Sequence, residues 1–517
     1  MKVERTKNAT RNIVFGFALK IYQLVVPFLM RTAMIYFMGV QYLGLNSLFT
    51  SILQVLNLAE LGVGGAMVYS MYKPIAEDDK VTICALMRLY KKYYRIIGGA
   101  IAVVGIIITP LIPSLVKKDL PAGLNIYVLY LLNLAATVLS YWLFAYKNSL
   151  FQAHQRLDVT SKVAILTNTF QYAVQFLTIY LKNYYLYVIA TLFTQALTNI
   201  ITAVVATKMY PEYRAEGNLD KNTIKAINKK IKDLFTSKIG GTISNSADTI
   251  IISAFLGLTV LAVYQNYYYI LSSIAGFIYI IFQSTTAGIG NSVVVETKEK
   301  NLDDLKKFTF MICWIAGFCC ACFLCLYQPF MELWVGRELM LEYPIVICLC
   351  VYFFVQEVNQ LLNTYKDAAG IWHEDRFRPL ISSLANLAMN LVMVQFWGLY
   401  GVILSTILSM SLIGTPWLLH NLFTTLFSRE YLGGYLKRLL LYTSMTIISC
   451  VACYFTCLFK FESLWGTLIF RLAVCCVIPN WLFSIVYRKL PEYMECKVMV
   501  KRALKVKFLG KQSSKEH

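Results

Sequence analysis

Apolar stretches of about 20 residues or more recur along the whole 517-residue chain, and no interval between them is long enough to hold a soluble domain. A helix of roughly 20 residues is about 30 Å long, the thickness of a bilayer's hydrocarbon core. With 58% hydrophobic and only 15% charged residues, the chain is far from the composition of soluble proteins, where charge is nearer a quarter. The expected fold class is therefore all-α: a polytopic membrane protein of about fourteen transmembrane helices. The expected spans are 12–38, 46–70, 84–113, 124–152, 161–181, 185–207, 236–256, 260–293, 307–330, 342–366, 380–397, 399–424, 438–458 and 463–488. The basic segment 1–11 precedes an apolar run too long for a signal-peptide core and without a small-residue cleavage site, so that run is expected to stay as the first span.

Charge placement fixes the expected orientation. Forty-eight lysines and arginines against 28 acidic residues give a net charge of +20, which could suggest a nucleic-acid partner if it were gathered on one surface. Instead it lies in alternate loops, at 73–95, 156–162, 208–238, 298–307, 376–378, 429–438 and 488–515. The other loops are short and hold only Lys117, Lys118, Lys182, Arg337 and Lys460. By the positive-inside rule both termini are expected in the cytoplasm, with no role for nucleic acid. The fourteen cysteines lie almost entirely within apolar runs, so structural disulfides are not expected.

The polar stretch 208–238 divides the chain, which suggests an N-lobe over 1–207, a linker over 208–235, a C-lobe over 236–426, a helical pair over 427–488 and a basic tail over 489–517. The linker's lysines suit either solvent or anionic lipid headgroups. A weak internal repeat supports two lobes: Gly39-Val-Gln-Tyr-Leu-Gly-Leu45 aligns with Gly257-Leu-Thr-Val-Leu-Ala-Val263, and glycines recur at 62–65 and at 288–290. Both copies run in the same direction, the parallel repeat that places a transporter's substrate between its halves.

Charges inside apolar runs are the strongest pointers to a site, because each costs at least about 2.5–3.5 kcal/mol in lipid without a partner or a wet cavity. In the first span Lys20 and Arg31 are eleven residues apart, on one face and about 16 Å along the axis, with Gln23 and Pro27 on the same side. Two cations there suit an anionic substrate; alternatively Lys20 snorkels to the interface or pairs with Glu60. In the repeat, position 31 falls beside Asp248, so the two can form a switching or a permanent pair. Amides form stripes at helical spacing: Asn168, Gln171, Gln175 and Thr178; Gln195, Asn199 and Thr202; Gln356, Gln360, Asn363 and Asp367, flanked by Glu357 and Asn359; and Asn386 with Asn390. They fit either a hydrated cavity that binds sugar hydroxyls or polar contacts between helices. Arg471, in the last span, reaches either a lipid phosphate in a side groove or the interface by snorkelling.

Other signals are negative. No phosphate-binding loop appears, and the four histidines have no ligand spacing. Cys319, Cys322 and Cys325, like Cys450 and Cys453, mimic metal-ligand spacing but read as packing, so neither metal nor cofactor is expected. Tyrosines at 184–187 and 267–269 read as interfacial belts.

Several stretches together resemble one family: Leu58-Ala-Glu-Leu-Gly-Val-Gly64, Tyr146-Lys-Asn-Ser-Leu-Phe-Gln-Ala-His-Gln155, Asn245-Ser-Ala-Asp-Thr-Ile-Ile-Ile-Ser253 running into Phe255-Leu-Gly257, and Tyr365-Lys-Asp-Ala-Ala-Gly370 leading to Arg376 and Pro379. By these the chain is similar to bacterial polysaccharide repeat-unit flippases, a branch of the multidrug/oligosaccharidyl-lipid/polysaccharide exporter superfamily. The resemblance implies two six-helix lobes around a central cavity, with two extra helices, working by alternating access in a bacterial plasma membrane. It implies an undecaprenyl-diphosphate-linked oligosaccharide as substrate, membrane lipids around it, a proton or sodium ion as coupling ion, and contact with polysaccharide polymerase machinery. By the family's pattern Lys20, Arg31 and Lys147 become substrate-binding candidates, and Glu60, Asp248 and Glu357 gating or ion-coupling groups. No covalent bond changes in flipping, so no catalytic residue is expected. The rival readings are a drug or metabolite exporter of the same superfamily, which would favour an acidic or apolar cavity, and a membrane polysaccharide polymerase, which would favour large outer loops.

Overall fold

A computed structural model describes residues 5–116, 119–459 and 461–498. Lys117, Lys118, Lys460 and the expected basic tail beyond 498 lie outside the described residues. Every regular element among the described residues is helical. Contacts divide the chain into two compact units, Met1–Gln265 with Pro379–Gly398, and Asn266–Arg378 with Leu399–His517.

In the first unit α1 (Arg5–Phe37) lies along α7 (Leu157–Tyr180), and α7 along α8 (Tyr184–Met209). The Tyr22 and Thr169 hydroxyls meet at 2.9 Å, and Phe37 sets its ring edge-on to Phe176 and Tyr180. Only Met38 and Gly39 separate α1 from α2 (Val40–Leu56), and Gly39 turns the chain at φ 117° and ψ 157°, where a side chain would strain the backbone. A similar glycine turn, Gly257 at φ 100° and ψ 170°, joins α9 (Lys221–Leu256) to α10 (Leu258–Val295). These are the two glycines that the repeat aligns. A Cβ on Gly44 would sit 2.2 Å from the Leu258 carbonyl oxygen, so the opening turns of α2 and α10 are in close contact. The repeat is therefore structural, and small residues at its turns let the copies approach.

The copies differ further along. In the first, a 3₁₀ turn over Asn57–Glu60 and Gly62 at φ 90° break the second span, separating α2 from α3 (Val63–Glu77). In the second, α10 runs unbroken through Gly288 and Gly290. The break is where α9 comes closest: a Cβ on Gly62 would meet the Ile231 carbonyl oxygen at 2.7 Å. Ile231 lies in the stretch expected as linker. That stretch is helical from Lys221 onward, because Asp220 caps the Thr223 amide and neither proline nor glycine interrupts residues 221–238. The helix α4 (Lys80–Ile108), capped by Asp79, packs on α5 (Ile126–Trp142), which bends 50° into a short segment containing α6 (Asn148–Ala153).

The second unit is built on α11 (Lys298–Val335), which packs against α12 (Tyr343–Ala368), α15 (Leu432–Thr456) and α16 (Leu464–Tyr487). Trp314 stands edge-on to Phe483 at 5.4 Å and donates to Asn480 at 2.8 Å; Gly317 lies so near Thr446 that a Cβ would be 2.7 Å from its hydroxyl. The C-terminal helical pair is thus seated on α11 by rings, one amide and a small residue.

α13 (Arg378–Leu408) is kinked at Gly398, at φ 54° and ψ −131°, and passes through a π-helical turn, Ser409–Gly414, into α14 (Thr415–Thr425). Its first half belongs to the first unit because Gly240 lets α9 come close: a Cβ there would lie 2.3 Å from the Pro379 carbonyl oxygen. Among the described residues ten helices are long and apolar enough to span a bilayer, eleven with the bent α5 pair. Reaching the expected fourteen takes a division of α13–α14 at Gly398 and the inclusion of α7 and α9, whose amides and lysines dilute their apolarity.

Candidate functional site

The charged candidates of the first unit lie in four places: on α1 at Lys20 and Arg31, at Glu60, at Asp248 and at Lys147. Arg31 is half-buried on α1, the helix that lies along α7. Beside it runs an apolar groove of about 590 Å³, lined on α1 by Val26, Leu29, Met30, Ala33 and Phe37 and on α7 by Phe176. Lys20 and Gln23, further along α1, are exposed.

Glu60 sits in the break between α2 and α3. Tyr94 donates to its carboxylate at 3.1 Å and receives from Tyr90 at 2.6 Å, while Tyr141 binds the neighbouring Asn57 at 3.1 Å. A carboxylate at a broken helix, held by a buried pair of hydroxyls, is suited to changing partners when the break moves. The tyrosines come from α4 and α5 and look like ordinary aromatic core in sequence; their spacing of four residues at 90 and 94 was the available signal.

Asp248 on α9 accepts from Asn390 of α13 at 2.6 Å, and Asn390 stacks one turn above Asn386. These two buried asparagines join helices, one of the two roles their spacing allowed. Gln175 is likewise buried and donates to Thr191 of α8 at 2.8 Å, whereas Gln171 on the same helix is half-buried. Lys147 follows the bend after α5 and donates to the Thr207 hydroxyl of α8, bracing the bend.

In the second unit the α12 stripe is divided. Asn363 donates to Asn359 at 2.7 Å and accepts from Arg378 at 2.7 Å, and Asn359 donates to Thr415 at 2.8 Å. Gln356 and Gln360 are half-buried, and Gln356 Oε1 and Glu357 Oε2 are buried with no hydrogen-bond partner among the described residues. Glu357 itself is only 2% exposed. An unsatisfied buried carboxyl oxygen is costly and marks a place where a proton, ion or donor is wanted. Arg471 on α16 donates to the Cys325 carbonyl at 3.0 Å.

Two clusters escaped the sequence reading. After α6, Asp158 is fully buried and held by Arg156 at 2.9 Å, Lys162 at 3.5 Å and Arg11 at 3.6 Å, while its own amide donates to the Asn12 side chain. Burial would raise its carboxyl, but the Arg156 hydrogen bond and the three cations outweigh that and hold it below the usual carboxylate value. After α12, Asp375 is buried under a two-pronged contact from Arg378 at 2.6 and 2.8 Å, with Asn421 at 3.1 Å and Lys366 at 3.6 Å. The preceding sequences match in part: Tyr146, followed by Lys147, stands eight residues before His154 as Tyr365, followed by Lys366, stands eight before His373, a signal within the repeat that spacing could have shown.

Comparison with solved structures places this architecture. The chain is similar to a lipid II flippase, MurJ, in an inward closed conformation, at 15% identity and TM-score 0.63 over 92% of this chain and 99% of that one. It is similar also to an inward-facing multidrug resistance transporter of the MATE family, within the MOP superfamily, at 13% identity and TM-score 0.61 over 82% and 99%. A MOP superfamily transporter from Pyrococcus furiosus gives 14% identity and TM-score 0.52 over 83% and 97%. These likenesses show the fold. No curated protein sequence matches significantly. The family model described as "Polysaccharide biosynthesis protein" matches residues 9–287, more than half of the chain, and the chain belongs to that family.

Proposed function

We propose that this protein is a flippase that moves oligosaccharide repeat units, carried on undecaprenyl diphosphate, from the inner to the outer leaflet of a bacterial plasma membrane by alternating access. The observation that carries this is Arg31, a half-buried cation within an apolar run, less than two turns before the end of α1, with an apolar groove along the same helix. A lipid-linked glycan presents a diphosphate, sugar hydroxyls and a prenyl tail together. Arg31 suits the first and the groove suits the last. Lys20 and Gln23, exposed on α1, extend the polar path; Gln171, Gln356 and Gln360, all half-buried, are amides left for hydroxyls.

Membership in a polysaccharide biosynthesis family supports this substrate class over a drug or metabolite, and the MurJ structure shows the same fold serving a lipid-linked sugar in another protein. Glu357, Asp248 and Glu60 are the groups we assign to gating or to a coupling proton or sodium ion. The test is deletion of the gene in its host. The expected result is accumulation of lipid-linked repeat units on the cytoplasmic leaflet and loss of surface polysaccharide, restored by the wild-type gene. Normal export without accumulation would overturn the flippase reading, and altered drug tolerance with normal export would favour the exporter.

A further inference from the structure

Three helices of the second unit converge on sulfur. Cys325 of α11, Cys457 at the end of α15 and Cys475 of α16 place their Sγ atoms within 4.8 Å of one another, and each side chain is at most 3% exposed. Cys322 and Cys453, one turn before Cys325 and Cys457, complete a sulfur-lined core with Ala321 and Val474. All five are free thiols.

We propose that Cys325, Cys457 and Cys475 form a binding site for a thiophilic divalent metal ion of the zinc class, which ties the α15–α16 pair to α11.

Geometry comes first. A Zn–S bond of about 2.3 Å puts the sulfurs of a tetrahedral site roughly 3.8 Å apart, so three sulfurs already within 4.8 Å need shifts under about 1 Å to close on one ion. The fourth position falls to Cys453 or Cys322. A soft all-thiol ligand set from three chain segments selects zinc or another d¹⁰ ion over magnesium or calcium.

Charge supplies the second argument. Arg471, one turn before Cys475 on α16, donates through one terminal nitrogen to the Cys325 carbonyl, while its Nε is buried with no hydrogen-bond partner among the described residues. A cation beside neutral thiols in an apolar core is unbalanced. On binding, each S–H group loses its proton to solvent as its S–Zn bond forms; three thiolates with a divalent ion leave one negative charge, and a fourth thiolate leaves two. Arg471 offsets one such charge and offers its unused N–H to a thiolate.

The full chain, purified in detergent with a thiol reductant and stripped with a chelator, is titrated with Zn²⁺ alone. We expect about one zinc retained per chain after desalting, a raised unfolding temperature, and a tetrahedral thiolate spectrum when Co²⁺ replaces Zn²⁺. Cys475→Ser should lose the zinc, Arg471→Met should weaken binding by about 10–100-fold, and Cys476→Ser, at the exposed neighbouring position, should bind as wild type. Should Cys475→Ser fail to fold, wild type still decides: the Co²⁺-loaded chain should show thiolate-to-metal charge-transfer bands that a chelator abolishes. Failure of wild type to retain zinc, absence of those bands, or a native disulfide between two of the three cysteines would overturn the proposal.

Discussion

Asp158 joins α1 to the start of α7: Arg11 comes from α1, Arg156 and Lys162 from the start of α7, and the Asp158 amide also donates to Asn12 of α1. Because those cations are partly solvated, Asp158→Asn should cost about 1–3 kcal/mol, less than a pair buried on both sides, and thermal unfolding of the purified protein measures it. Its depressed pKa gives stability that is present above the unfolded carboxyl's value and lost only as pH falls through the lower folded one. Stability from this residue should therefore be flat across neutral pH. His154 behaves differently within that range. It is buried against Tyr210 at 4.4 Å with Nδ1 on the Leu150 carbonyl, and burial holds its pKa below the usual histidine value. Its contribution should be full above about pH 6.5 and lost as pH falls below it. Unfolding temperatures between pH 8 and pH 5 should fall in wild type and fall less in His154→Gln. Arg31 was legible in the sequence because a charge in an apolar run stands out. Asp158 and Asp375 were not, because in alternate loops they are indistinguishable from charges that only set topology.

Elements were legible where apolar runs define them, and illegible where backbone geometry departs from a straight helix. The glycines at 62–65 were visible, yet nothing in the sequence distinguished them from those at 288–290; in the structure the first copy is broken at Gly62, where α9 lies close, and the second is not. Gly44 and Gly16 give the sharpest contrast. A Cβ at Gly44 would meet backbone at 2.2 Å, which neither helix can relieve by rotating a side chain, whereas Gly16 has nothing within 4 Å. Gly44→Ala should therefore lose folded protein in membranes, and Gly16→Ala should express at wild-type levels in the same fluorescence-detected chromatography. The cysteines carry the same lesson: the spacing of 322 to 325 along one helix reads as packing, and the meeting with Cys457 and Cys475 exists only once three helices assemble.

At the scale of the whole molecule, the chain passes between its two compact units near Gln265, at Arg378 and again at Gly398. Gly398 holds a conformation open to glycine almost alone, with room around it, the nearest atom to a Cβ being Leu256 Cδ2 at 3.8 Å. Gly398→Ala should thus cost about 1–3 kcal/mol through backbone strain rather than clash. The central claim concerns what passes through the protein, and the direct measurement is flipping of a fluorescent undecaprenyl-diphosphate-linked oligosaccharide in proteoliposomes, read as the fraction quenched from outside over time. The account predicts protein-dependent exchange that slows roughly 10- to 150-fold in Arg31→Ala, the equivalent of one lost charged hydrogen bond. Exchange no faster than in empty liposomes, or unchanged in Arg31→Ala, would contradict it.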